Sequence, residues 1–178
     1  MLLTRIFKGI WRFYLIKTGG DPMIRYLRKK GVKIGRNCRL HTMSFSTEPY
    51  LVEIGDNVSI ADGSVFITHD AGITCFRDEF PNDDIFGKII IGNNVHIGAN
   101  CTLLLNTTIG NNCIIGAGSV VRGKFADNTV IIGNPAKAMM SMNAQKLLYC
   151  LNPGRLSTRN MTDAEKKPII TKHFNNKK

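Results

Sequence analysis

The sequence predicts a mainly β fold, a solenoid of six-residue repeats, and three observations carry that prediction. An apolar residue opens a repeat at Ile34, Ile54, Ile60, Phe66, Ile91, Ile97, Leu103, Ile109, Ile115 and Val121, with an unbroken spacing of six from Ile91 onward. Three residues later stand Asn37, Asn57, Gly63, His69, Asn94, Asn100, Asn106, Asn112, Gly118 and Lys124. Eight of these ten are Asn or Gly, the types that accept a left-handed backbone at little cost. The next position is mostly small, as in Cys38, Val58, Ser64, Val95, Cys101, Thr107, Cys113 and Ser119, which suits an inward slot at a tight corner. A period of six is neither helical nor that of an alternating strand; it marks a hexapeptide β-helix of short strands.

The elements follow in order. Residues 1–17 read as an amphipathic helix with Leu3, Ile6, Phe7, Ile10, Phe13 and Tyr14 near one face. Arg5, Lys8, Arg12 and Lys17 interrupt it too often for a signal peptide or a membrane span. It is expected to pack on the solenoid or a neighbouring subunit, to lie on an anionic membrane surface, or to do both. Asp21-Pro22 caps a second short helix that Gly31 closes. The solenoid begins at Val32, and residues 40–53 break its rhythm. A second break, residues 70–88, is long enough to be a functional loop. Its Phe76, Phe80, Ile85 and Phe86 need burial, so the loop is expected to pack over a neighbouring surface. After Phe125 the repeats end, Pro135 stops strand pairing, and residues 136–150 read as a helix. The expected organisation is basic helices over 1–31, about four coils over 32–138, and a helix with a basic tail over 139–178, the helices capping exposed solenoid ends.

Charge is partitioned along the chain. Residues 1–39 carry eleven Lys or Arg against one acid, residues 40–136 four against ten, and residues 137–178 nine against two. A mildly acidic solenoid wall is a poor track for a phosphate backbone, so nucleic acid is not an expected partner. Five cysteines without a CxxC pair read as reduced thiols in the cytoplasm, and the N-terminal helix extends the expected location to the periphery of the inner membrane face. No metal is expected.

The repeats, the Thr-His-Asp after Phe66, the stretch IGNNVHIGANCTLLLNTTIGNNCIIGAGSVV and the closing GNPAK together resemble the hexapeptide-repeat acyltransferases. Within that group they are similar to maltose and galactoside O-acetyltransferases and to O-acetyltransferases of surface-polysaccharide clusters. The resemblance covers about residues 32–140. It implies a left-handed parallel β-helix assembled as a homotrimer, with acetyl-CoA as acyl donor in the groove between two subunits. It implies His69 as the base ahead of the loop. It points to Ala99 near the thioester, to Ala117, Arg122 and Gly123 along the pantetheine arm, and to Lys137 at the nucleotide phosphates. His96 falls where the galactoside enzymes carry an aromatic residue lining the acceptor site.

The chemistry suits these residues. A sugar hydroxyl must lose its proton as it attacks, and a neutral imidazole can take that proton and later protonate the departing thiolate. His69 stands in a corner slot where the chain leaves the coil, and His is among the residues tolerant of positive φ. Asp70, its neighbour, is placed to hold the acceptor. Arg122, Lys124 and Lys137 are nearly the only cations of the late solenoid and would attract a phosphorylated donor. Backbone N–H groups at the corners offer donors to a developing oxyanion. No nucleophilic Ser or Cys stands beside a base, which favours direct transfer in a ternary complex. The orienting partner of His69 stays open, with Glu53 and Asp56 within one coil. His41 and His173 read as structural. Three rivals remain: an N-acetyltransferase of an amino sugar or small amine, a non-catalytic trimeric scaffold, and a γ-class carbonic anhydrase, which lacks a closely spaced His pair here.

Overall fold

The computed structural model describes residues 20–175. The helix predicted over residues 1–17, and the membrane contact expected of it, lie outside the described residues. The chain divides into two compact units, one ending at Asn143 and one beginning at Ala144.

In the first unit, helix α1 (Gly20–Lys29) places Asp21 in its first turn and Arg28 and Lys29 in its last, as the helix dipole prefers. It buries Met23, Ile24 and Leu27. Gly31, at φ 101°, turns the chain away, and the Arg28 guanidinium donates to the carbonyls of Ile34 and Gly35 at 2.9 and 2.7 Å.

The solenoid has three parallel faces. Face A stacks β1 (Lys33–Ile34), β4 (Val52–Ile54), β9 (Ile89–Ile91), β12 (Thr107–Ile109) and β15 (Lys124–Phe125). Face B stacks β2 (Arg39–Leu40), β5 (Ser59–Ile60), β10 (His96–Ile97), β13 (Ile114–Ile115) and β16 (Thr129–Gly133). Face C stacks β3 (Ser44–Phe45), β6 (Val65–Phe66), β11 (Thr102–Leu103) and β14 (Val120–Val121). The repeat-opening residues form the core: Ile54, Ile91 and Ile109 in one column, Leu40, Ile60, Ile97, Ile115 and Ile131 in the next, Phe66, Leu103 and Val121 in the third, all buried. Burying such a side chain stabilises by about 1.5–3 kcal/mol, so the columns dominate the stability of the unit. Phe45 and Phe66 stack at 4.6 Å between centroids.

All eight Asn and Gly corner residues have positive φ, from 52° at Asn112 to 73° at Gly63. The small slot is inward as expected, and its polar members are satisfied: Ser64 Oγ donates to the Gly98 carbonyl at 2.9 Å and Cys101 Sγ to that of Gly116 at 3.2 Å. Three expectations need correction. There are five coils rather than four, because Asn128, at φ 60°, turns one more corner into β16. His69 and Lys124 are not left-handed corners but lie in strands, since the chain leaves the coil before His69 and Gly123, at φ 104°, takes the turn ahead of Lys124. Residues 136–141 are a strand, not a helix: β17 (Ala136–Ser141) runs antiparallel to β16, and pairing an otherwise open edge outweighs helix propensity there. Helix α2 (Met142–Leu151) begins only afterwards.

In the second unit, α3 (Asp163–Asn175) starts with a reciprocal cap, the Thr162 hydroxyl accepting from the Glu165 N–H and the Glu165 carboxylate from the Thr162 N–H. No residue of α2 or α3 is buried. No helix among the described residues is long and apolar enough to cross a membrane.

Candidate active site

The turns from face C to face A are the irregular ones, and the site is built on them. In the first coil this turn is Ser46-Thr47-Glu48 followed by the 3-10 turn Pro49–Leu51, whose Leu51 N–H returns to the Glu48 carbonyl at 3.0 Å. The Ser46 N–H donates to the Phe66 carbonyl at 3.0 Å, which lays this turn beside Ile67-Thr68-His69 of the next coil. There the chain departs: β7 (His69–Asp70) pairs antiparallel with β8 (Ile85–Phe86), closing the base of the loop, and the Gly87 N–H donates to the Thr68 carbonyl at 2.8 Å.

His69 Nδ1 lies 2.9 Å from Glu48 Oε2, with Ser46 Oγ at 3.1 Å from the same nitrogen. The Glu48 carboxylate also accepts from the Thr47 hydroxyl and from Thr68 Oγ1 at 2.9 Å. The Thr47 hydroxyl foremost, then His69 and Thr68, hold its carboxyl down at about 2 against the opposing effect of burial. Glu48 is therefore an ionised acceptor at neutral pH, and it favours the tautomer with the proton on Nδ1. That leaves Nε2 as the basic nitrogen, and it makes no hydrogen bond among the described residues. The imidazole is 38% exposed and Glu48 14%, so the base meets solvent while its support is sheltered.

Glu48 is the residue that sequence reasoning missed. Glu53 bonds instead to Lys33 and Lys88, and Asp56 to Arg36. Glu48 lies 21 residues before His69, three more than the regular 18-residue coil, so the repeat spacing gives no pointer to it.

Beside His69 opens a cleft of about 370 Å³ whose walls include Ile67, Asp70, Leu104 and Arg122. Ile67, Leu104 and Arg122 follow register partners in successive coils of face C, which brings Arg122 to the site. The Asp70 carboxylate accepts the Gly72 N–H at 2.9 Å and caps the 3-10 turn Ala71–Phe76. The remaining residues do not converge on this cleft within one chain. His96 is exposed on face B between Ser59 and Ile114. Ala99 and Ala117 stack at the turns from face B to face C, where the Gly118 N–H donates to the Ala99 carbonyl at 2.8 Å. Their own N–H groups make no hydrogen bond among the described residues. Gly123 turns beside Arg122, Lys124 is exposed on face A opposite Thr108, and Lys137 is exposed on β17 opposite Ile132.

The solenoid is that of the hexapeptide-repeat proteins, and by its relatives the chain belongs to the hexapeptide-repeat acyltransferases. The model described as bacterial transferase hexapeptide (six repeats) matches residues 88–123. Protein CapG of Staphylococcus aureus is 41% identical over 151 residues, covering 83% of this chain and 87% of that protein. The putative lipopolysaccharide biosynthesis O-acetyl transferase WbbJ of Escherichia coli K12 is 38% identical over 107 residues, 55% of this chain and 54% of that one. The structure of a maltose O-acetyltransferase from Clostridium difficile 630 superposes with a TM-score of 0.50 at 29% identity, covering 62% of this chain and 59% of the other. The protein is an acetyltransferase of this family, and WbbJ and the maltose enzyme are named as O-acetyltransferases.

Proposed function

We propose that the chain transfers an acetyl group from acetyl-CoA directly to a sugar hydroxyl, that of a surface polysaccharide, its precursor or a small glycoside. The observation that carries this reading is the Glu48–His69 pair at the cleft: Nδ1 is 2.9 Å from an ionised carboxylate and Nε2 is left free to take a proton. A hydroxyl acceptor needs such a base, whereas a free amine needs it less. His69 removes the hydroxyl proton as oxygen attacks the thioester carbonyl, Glu48 steadies the imidazolium, and the same proton then passes to the thiolate of coenzyme A. The sugar-modifying names of WbbJ and the maltose enzyme support the acceptor class.

The donor fits a split site. The N–H groups of Ala99 and Ala117 suit the thioester and pantetheine amides, and Arg122, Lys124 and Lys137 suit the phosphates. Arg122 shares the His69 cleft, but Ala99, Ala117 and Lys137 lie away from it, so the donor groove is completed by copies of the same chain in a homotrimer, one supplying the base and its neighbour the arm-binding edge. His96 and Asp70 then face the acceptor. The free thiols of Cys38, Cys101 and Cys113 accord with a reducing cytoplasmic setting.

Thiol release from acetyl-CoA with a panel of sugars tests the proposal. His69→Ala is expected to lower kcat at least about a hundredfold on a hydroxyl acceptor, within the usual worth of a general base. Undiminished turnover would move the base elsewhere or make the acceptor an amine.

A further inference from the structure

The loop between β7 and β8 holds a second hollow, about 750 Å³, that meets the His69 cleft through Asp70 and Gly72. Phe76 and Phe80 line it and are 54% and 44% exposed. A single exposed ring is ordinary, but two rings lining one hollow contiguous with a catalytic cleft are a binding feature. Its shape is held from within: the Arg77 guanidinium donates to the carbonyls of Phe80 and Asp83 at 3.1 and 2.6 Å and to the Asp84 carboxylate at 3.0 Å. A hollow shaped before binding loses less entropy when filled.

Its polar lining is one-sided. Asp70, Asp83 and Asp84 line it and no Lys or Arg does. Arg77 answers only Asp84, so Asp70 and Asp83 have no ion pair among the described residues. The volume accommodates one or two pyranose rings.

We propose that this hollow is a second sugar subsite, which receives the ring next to the one being acetylated and selects neutral or amino sugars over acidic ones. The inference rests on the sugar O-acetyltransferase reading. The electron-rich faces of Phe76 and Phe80 take the C–H faces of a pyranose, which are apolar and partly positive. The carboxylates accept from sugar hydroxyls or an ammonium group, as ionised acceptors do strongly. A uronate or sialate carboxylate in the same hollow meets a lining that stays net negative, because the nearby Arg77 guanidinium is committed to Asp84 and to backbone carbonyls. The preferred acceptor is accordingly a glycan of two or more residues.

The full-length protein is assayed with neutral and uronate-containing mono- and trisaccharides. In parallel, saturation-transfer NMR reads trisaccharide binding without donor. The expected ratio of kcat/KM for neutral tri- over monosaccharide falls roughly five- to tenfold in Phe76→Ala and in Phe80→Ala, the scale of one aromatic contact. The change enters through KM. Asp83→Lys is expected to raise uronate acceptors about tenfold relative to neutral ones, as reversing one nearby charge does; Asp83→Asn gives a smaller rise if the reversal disturbs the loop. Saturation transfer to the neutral trisaccharide is expected in the wild type and is lost in the Phe variants at unchanged melting temperature. No transfer, transfer indifferent to both rings, or equal binding of neutral and uronate glycans overturns the subsite. Selective binding without acetylation of any hydroxyl would leave the subsite standing and defeat the parent reading instead.

Discussion

The turns from face A to face B and those from face C to face A leave and enter the same face A strands, yet they are built on opposite plans. The A-to-B turns repeat: Gly35-Arg36-Asn37-Cys38, Gly55-Asp56-Asn57-Val58, Gly92-Asn93-Asn94-Val95, Gly110-Asn111-Asn112-Cys113, and Ala126-Asp127-Asn128 in the last coil. Their side chains form a ladder along the solenoid. The Arg36 N–H donates to Asp56 Oδ1 and the Asp56 N–H to Asn93 Oδ1, each at 2.7 Å. The Asn93 N–H donates to Asn111 Oδ1 and the Asn111 N–H to Asp127 Oδ1, each at 2.8 Å. Each of these amides is committed to the next coil, so they offer nothing to a substrate. The four C-to-A turns share no pattern: residues 46–51, the loop of 67–88, 104–106 and 122–123. Repetition secures the stack along one edge, and the edge released from repetition carries Glu48, His69 and Arg122.

Overfilling a repeating turn should do the most damage. A side-chain carbon at Gly110 would lie 2.6 Å from the Asp127 nitrogen and 2.8 Å from the Ala126 carbonyl carbon, backbone atoms that cannot step aside. Gly110→Val is expected to cost about 3 kcal/mol or more, read as a lower melting temperature, while the molecules that remain folded keep their rate. The opposite result belongs to the other edge. Glu48→Gln keeps shape and loses the charge behind His69, so kcat should fall roughly ten- to a hundredfold with KM nearly unchanged. A Glu48→Gln enzyme that loses melting temperature but not kcat would make the residue structural and erase the division of labour between the two edges.

That division also explains what the sequence disclosed. The A-to-B and B-to-C corners were legible residue by residue, because each left-handed position leaves Asn or Gly every six residues whatever the neighbours are. His69 was legible for the converse reason, as an interruption, though it broke the rhythm by leaving the coil rather than by adopting a left-handed corner. Glu48 was not legible: it lies in residues 40–53, where the period fails, and only the hydrogen bond from the Ser46 N–H to the Phe66 carbonyl shows which residues of that turn adjoin His69. The strand of Ala136–Ser141 was hidden too, since its pairing with Thr129–Gly133 depends on an edge that no local pattern announces.

Smaller effects sharpen the contrast. Asn111→Ala removes the acceptor of the Asn93 N–H and the donor to Asp127 Oδ2, and should cost about 1–1.5 kcal/mol with no change in rate. The smallest effect is one of pH. The Glu48 carboxyl titrates near 4.5 in an unfolded chain and at about 2 in the folded one, where the hydroxyl of Thr47, His69 and Thr68 stabilise its charge. Between those values the unfolded state binds more protons, so the contribution of Glu48 is whole above pH 4.5 and lost as pH falls toward 2. The melting-temperature gap between wild type and Glu48→Gln should thus be constant at neutral pH, shrink below pH 4.5 and close near pH 2. Because its partner imidazole is open to solvent the gap is modest, and thermal melts at matched ionic strength would detect it. A gap that stayed constant down to pH 2 would mean that hydroxyl contacts which Gln also makes, rather than the charge, hold the two turns together.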